Sequence, residues 1–137
     1  MIHLFLDTNI LIDLLANRKP HSKFAIEIFA NAATQKCKLY MSSHSFVTTH
    51  YILKKFLPET ELREILDKIL KFIQIIPVED YMIKRGLKSK ISDFEDAIQA
   101  QVALSNSKII GIVTRDIKDF VGLNIPVFAP DEAVLLF

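Results

Sequence analysis

The chain has no tryptophan, three glycines and a single cysteine among its 137 residues, and each scarcity closes a route. Cys37 alone cannot form an internal disulfide, so the fold must rest on an apolar core, as in proteins of a reducing compartment. Gly86, Gly111 and Gly122 build neither a Walker-A loop nor a Gly-x-Gly-x-x-Gly loop, which excludes a glycine-cradled nucleotide. There is no Gly-x-Ser-x-Gly elbow for an acyl-transfer serine. His3, His21, His44 and His50 contain no His-x-x-x-His pair, and no zinc-type cluster follows from them. Neither sign of charge dominates: 17 Lys plus Arg oppose 16 Asp plus Glu for a net charge of +1. Any polyanion must therefore be held by a local patch. Uncharged runs fall short of the roughly 18 residues that a membrane span needs, and the N-terminal run meets Asp7 too early for a secretory core. The expectation is a soluble, cytoplasmic protein with no membrane association.

What the chain does have is a folding composition, with 50% apolar and 24% charged residues, and a length suited to one domain over residues 1–137. Ile2 to Leu6 is an apolar run that stops at Asp7, the pattern of a strand buried on both faces. Helical spacing follows over Ile10 to Ala16 and Lys23 to Ala33, then a short strand over Lys38 to Met41 and a helix over Phe46 to Phe56. Pro58 opens a helix over Glu59 to Phe72, striped by Leu62, Ile65, Leu66, Ile69 and Leu70, and Ile73 to Val78 reads as a strand. Ile109 to Val113 repeats the first strand's pattern, ending in Thr114-Arg115-Asp116. Ile125 to Phe128 is a final strand before a helix at Pro130. Strand and helix alternate without hairpin signals, which predicts a three-layer α/β/α sandwich around a mainly parallel sheet.

In such sheets ligands bind outside the carboxyl ends of the strands. Asp7 and Asp116 each end an apolar run, so central parallel strands would bring both carboxylates to one edge, although each is also suited to cap a helix N-terminus. Ser92 to Ala100 supplies further acids. Ser92-x-x-Glu95 reads as a capping box for a helix running to about Leu104. Asp93 and Asp96, three residues apart, can share a face of its first turn, above the packing surface formed by Ala97, Ala100 and Ala103. Asp93 has a ready explanation as an acid complementing the helix dipole, whereas Asp96 on so apolar a helix does not, which makes Asp96 the better site candidate.

Carboxylates that converge from separate elements repel one another unless protonated or bridged by a cation, and hard oxygen donors select Mg²⁺ or Mn²⁺. A carboxylate-held ion pair suits phosphodiester hydrolysis, in which one ion activates water and the other stabilises the leaving oxygen. Lys84, Arg85, Lys88 and Lys90 read as a cationic loop just before the acidic helix, placed to hold a phosphate backbone. Arg18-Lys19 and Lys54-Lys55 are weaker patches of the same kind.

These segments, Phe5-Leu6-Asp7-Thr8-Asn9-Ile10-Leu11, Asp93-Phe94-Glu95-Asp96-Ala97-Ile98-Gln99-Ala100 and Ile112-Val113-Thr114-Arg115-Asp116-Ile117-Lys118-Asp119-Phe120, resemble the PIN domain, the metal-dependent ribonuclease fold of VapC-type toxins and several RNA-processing nucleases. The resemblance spans the whole chain. It implies Asp7, Asp96 and Asp116 as catalytic, metal-binding carboxylates, with Asp93 sharing the ions and Thr8, Asn9 and Thr114 as polar support. Asn9 would orient Asp7, and Thr114 would hold a carboxylate or a metal-bound water. The resemblance further implies RNA as substrate, an antitoxin partner and a homodimer. One departure stands out: the family usually carries a Glu in the helix after its second strand, whereas Ser42 to Tyr51 contains no acid and Thr48 or Thr49 takes roughly that place. The alternative reading is therefore a PIN-like domain that has lost its chemistry and serves RNA or protein binding. Asp7-Thr8-Asn9 also echoes the Asp-x-Asp nucleophile of haloacid-dehalogenase phosphotransferases, but Asn9 cannot act as the second acid.

Overall fold

Stretches such as Leu4 to Leu6 are apolar at every position because both of their faces are covered. In the computed structural model, which describes residues Met1–Phe137, five strands pair in parallel: β1 (Ile2–Leu6), β2 (Cys37–Ser42), β3 (Ile73–Ile76), β4 (Gly111–Val113) and β5 (Val127–Phe128). Their order is β3-β2-β1-β4-β5, which places β1 in the centre and β4 beside it. The helices are α1 (Thr8–Leu15), α2 (Ser22–Ala33), α3 (Ser43–Leu53), α4 (Glu59–Ile69), α5 (Asp80–Leu87), α6 (Phe94–Leu104) and α7 (Pro130–Ala133).

Alternation along the strands assigns side chains to the two layers. Leu4 and Leu6 of β1, with Leu39 and Met41 of β2, pack on Ile10 and Leu11 of α1 and on Ala25, Ile28 and Phe29 of α2. On the opposite face Phe5 and Tyr40 meet Met82 of α5 and Ile98 and Ala100 of α6. A smaller cluster of Ile12, Leu53, Leu62 and Leu66 ties α3 and α4 to α1. The predicted sandwich is the one observed, and no helix is long and apolar enough to cross a membrane. Cys37 is buried, which pushes its thiol up to about 11 and leaves it unreactive at neutral pH.

The structure corrects one element outright. The cationic segment is not a loop throughout: Lys84 and Arg85 lie in the last turn of α5, and only Lys88 and Lys90 belong to the connection that follows. Gly86, a poor helix former, obscured this helix. Its role is close approach, since a Cβ there would lie 2.6 Å from Ile98 Cδ1 of α6.

Candidate active site

β1 and β4 are parallel neighbours paired Leu6 to Val113, so the residues that follow them emerge side by side. Asp7, which is 7% exposed, is the N-cap of α1. Its Oδ1 accepts from Thr8 N–H at 2.7 Å, and its Oδ2 accepts from the Thr114 hydroxyl at 2.8 Å. Thr114 in turn accepts from Asp116 N–H at 3.0 Å. The Asn9 amide nitrogen stands between the two acids, 3.5 Å from Asp7 Oδ2 and 3.3 Å from Asp116 Oδ2, while its oxygen accepts from Arg115 N–H at 3.4 Å. The sequence expectation that Asp7 and Asp116 share an edge, linked by Asn9 and Thr114, is met in the geometry.

The acidic helix starts one residue later than its sequence suggests. Asp93 is the N-cap, with its Oδ1 accepting from Asp96 N–H at 2.9 Å, and there is no Ser92–Glu95 capping box. Asp is as good a cap as Ser, and its charge adds to the favourable dipole term. Glu95, released from that role, reaches to within 3.6 Å of His44 Nε2 on α3. Asp96 is partly buried, whereas Asp93 and Asp116 are exposed.

Electrostatics join α6 to the strand-end pair. Burial pushes the Asp96 carboxyl up to about 7, helped by the negative charges of Asp7, Asp93, Asp119 and Glu95. Asp7 is also raised, chiefly by burial and in small part by Asp116, against the pull of hydrogen bonds from Thr114 and Thr8 and of the Gln99 amide. No Lys, Arg or His forms an ion pair with Asp7, Asp93, Asp96 or Asp116. The nearest candidate, Arg115, is turned away onto buried Asp13, with Nε–Oδ2 at 2.7 Å and Nη2–Oδ1 at 3.1 Å.

A raised carboxyl favours the folded state only while protonated. Asp96 thus contributes stability below its unfolded pKa near 3.8 and loses it as pH rises through about 7. In chelator, the melting temperature of the wild type should fall between about pH 4 and pH 7, and that of Asp96→Asn should fall less. Equal slopes in a thermal-shift series would show that Asp96 ionises like any surface carboxylate.

Neither threonine of α3 replaces the absent Glu. The Thr49 hydroxyl donates to the Ser45 carbonyl at 2.9 Å, and Thr48 lies 3.5 Å from His44 Nε2. What α3 brings instead is a pair of serines unmarked in the sequence reading. Ser45 meets the Thr8 hydroxyl, and Ser42 caps α3 through Ser45 N–H while donating to Gln99 Oε1 at 2.5 Å. Gln99, 1% exposed, leaves its Nε2 without a hydrogen-bond partner, yet close enough to Asp7 to stabilise that carboxylate. A buried amide three residues from Asp96, among small apolar residues, was the available signal for it. No three His, Cys, Asp or Glu side chains are arranged as a ready-made metal cage. Of the predicted phosphate-binding cations, Lys84 pairs with Asp80 at 2.9 Å and the Arg85 guanidinium sits 5.2 Å above the Tyr81 ring, while Lys88 and Lys90 are exposed.

A model of the PIN domain matches residues 3–118. Ribonuclease VapC1 from Aquifex aeolicus (strain VF5) is 22% identical over 133 residues, covering 93% of this chain and 90% of the relative. A chain of a toxin–antitoxin complex from Klebsiella pneumoniae has a TM-score of 0.67 at 25% identity, with 93% of this chain and 97% of that one covered. A chain of VapBC2 from Rickettsia felis, solved bound to a DNA fragment from their promoter, has a TM-score of 0.68 at 18% identity, with 93% and 98% covered.

Proposed function

This chain belongs to the PIN domain family, and on that premise we propose that it is a Mg²⁺- or Mn²⁺-dependent endoribonuclease, the toxin component of a toxin–antitoxin pair. The observation that carries the reading is a group of acids at the carboxyl edge of the sheet, none paired with a protein cation, two of which, Asp7 and Asp96, are raised in pKa. Hard carboxylate oxygens in this state suit a hard divalent ion, whose binding would relieve the repulsion that adds to burial in raising Asp96. Asp7, Asp96 and Asp116 would hold it, with Asp93 alongside. When bound, such an ion polarises a phosphoryl oxygen and lowers the pKa of water for attack on phosphorus.

The chain's own residues supply the geometry. Thr114 and the Thr8 amide fix both oxygens of Asp7, and Asn9 joins Asp7 to Asp116. Gln99 approaches Asp7 from α6 and is itself held by Ser42. Lys88 and Lys90 have no ion-pair partner and are free to meet RNA phosphates. An antitoxin partner is supported by the VapBC relatives, and a homodimer completes the proposed assembly. A second reading, a PIN domain retained for RNA or protein binding, is favoured by Thr48 and Thr49 being tied within α3, with no acid in the place of the Glu.

Calorimetric titration of Mn²⁺ into metal-free wild type and Asp96→Asn, together with RNA cleavage by both, separates the two. The nuclease reading expects saturable binding with release of about half a proton from Asp96 at pH 7, and metal-dependent cleavage, both lost in the variant. Absence of binding in the wild type would establish the non-catalytic reading.

A further inference from the structure

Beside the acids, the start of α6 forms one wall of a groove of about 380 Å³ lined by His44, Val78, Ile83, Phe94, Glu95 and Ile98. Phe94 is the first residue of α6, between the cap Asp93 and the site acid Asp96, and is 48% exposed. An aromatic ring half exposed on the rim of a polar site offers a flat apolar face on which a ligand can stack. The ring lies beside α5, where a Cβ at Gly86 would come 3.6 Å from Phe94 Cε1.

We propose that this groove seats an unpaired base of single-stranded RNA, stacked on Phe94, next to the phosphodiester held at the acids; the inference rests on the nuclease reading. The walls Val78, Ile83, Phe94 and Ile98 suit the flat faces of a base. His44 Nε2 and Glu95 Oε2, 3.6 Å apart, form a polar rim able to meet a base edge. Charge fits this occupant too. Lys84 is taken up by Asp80 and Arg85 by the Tyr81 ring, but Lys88 and Lys90, exposed and without ion-pair partners, form a cationic strip in the connection from α5 to Asp93, so a backbone following that connection meets positive charge while its base meets apolar surface. Stacking platforms flanked by cations are the usual way to hold a single strand without reading its sequence. A protein side chain would need the apolar walls but not the strip of cations.

The test uses a short single-stranded RNA carrying 2-aminopurine, whose fluorescence is quenched by stacking. It is titrated in chelator with wild type, Phe94→Trp, Phe94→Leu and Phe94→Ala, and circular dichroism of each variant checks the fold. Quenched binding by wild type and Phe94→Trp is expected, with affinity lower by about tenfold in both Phe94→Leu and Phe94→Ala. Equal affinity in all four, or binding without quenching, overturns the base seat. So does no RNA binding by the wild type, which would leave the groove to an apolar side chain of a protein partner. Cleavage in Mn²⁺ is scored separately. Cleavage that is indifferent to Phe94 removes the base seat and leaves the nuclease standing, whereas quenched binding with no cleavage by the wild type does the reverse.

Discussion

On the proposed reading, Asp7→Asn should lower metal-dependent RNA cleavage by more than about 100-fold, since even residues that only orient metal ligands are worth about 10- to 100-fold, and should do so in a chain that still folds. Asp7 sits where the central strand ends, and its two oxygens are held by the Thr8 amide and the Thr114 hydroxyl. The shape of the site would survive the substitution. The new side-chain oxygen can still accept from Thr8 N–H, and the Thr114 hydroxyl can rotate to accept from the new amide. What disappears is a negative charge that is 7% exposed and raised in pKa by its own burial. That charge opposes folding above its raised pKa, so in chelator at pH 8 the variant should melt at or above the wild-type temperature. Mn²⁺ should raise the wild-type melting temperature by linkage and leave the variant unmoved. Retained cleavage, or an unchanged Mn²⁺ effect, would place the chemistry elsewhere on the molecule.

The acids were legible in the sequence because the buried stretches Leu4 to Leu6 and Gly111 to Val113 carry no polar residue until each strand leaves the sheet, so Asp7 and Thr114-Arg115-Asp116 mark the strand ends by contrast. The sandwich followed from the same contrast repeated at β4. Other features were hidden for identifiable reasons. α5 buries only Met82 and Gly86, too little for an apolar stripe, and its glycine imitates a loop. Ser92-x-x-Glu95 and Asp93-x-x-Asp96 are offset by one residue, and local pattern cannot decide between two adequate caps; the helix takes the second. The links Ser45 to Thr8 and Ser42 to Gln99 span 37 and 57 residues, so no window of sequence contains both partners. The absent Glu of α3 was plain from the sequence. That serines and a buried amide stand around Asp7 instead became visible only when α3 and α6 were brought together.

Arg115→Ala should be the most destabilising single change near the site, by about 3 kcal/mol, because it strands a buried carboxylate without its partner. Asp13 is 1% exposed and its two oxygens are bound by Nε and Nη2 of Arg115, whose own side chain is 27% exposed. The fork joins the middle of α1 to the turn after β4, the two segments that carry Asp7, Asn9, Thr114 and Asp116. A loss of this size lowers the melting temperature by about 10 °C for a chain of this length. Arg115→Lys should recover only part of it, since an ammonium cannot fill both bonds. Asp13→Leu separates stability from charge. Replacing the carboxylate by an apolar side chain of similar size should cost far less than stranding it, yet it frees the Arg115 guanidinium to turn toward Asp7 and Asp116. That variant should fold, melt nearer the wild-type temperature than Arg115→Ala does, and bind Mn²⁺ more weakly because a protein cation now competes for the same carboxylates. Wild-type Mn²⁺ affinity in Asp13→Leu would show that the Asp13–Arg115 pair serves stability alone; weakened affinity would show that it also keeps a cation out of the acidic edge.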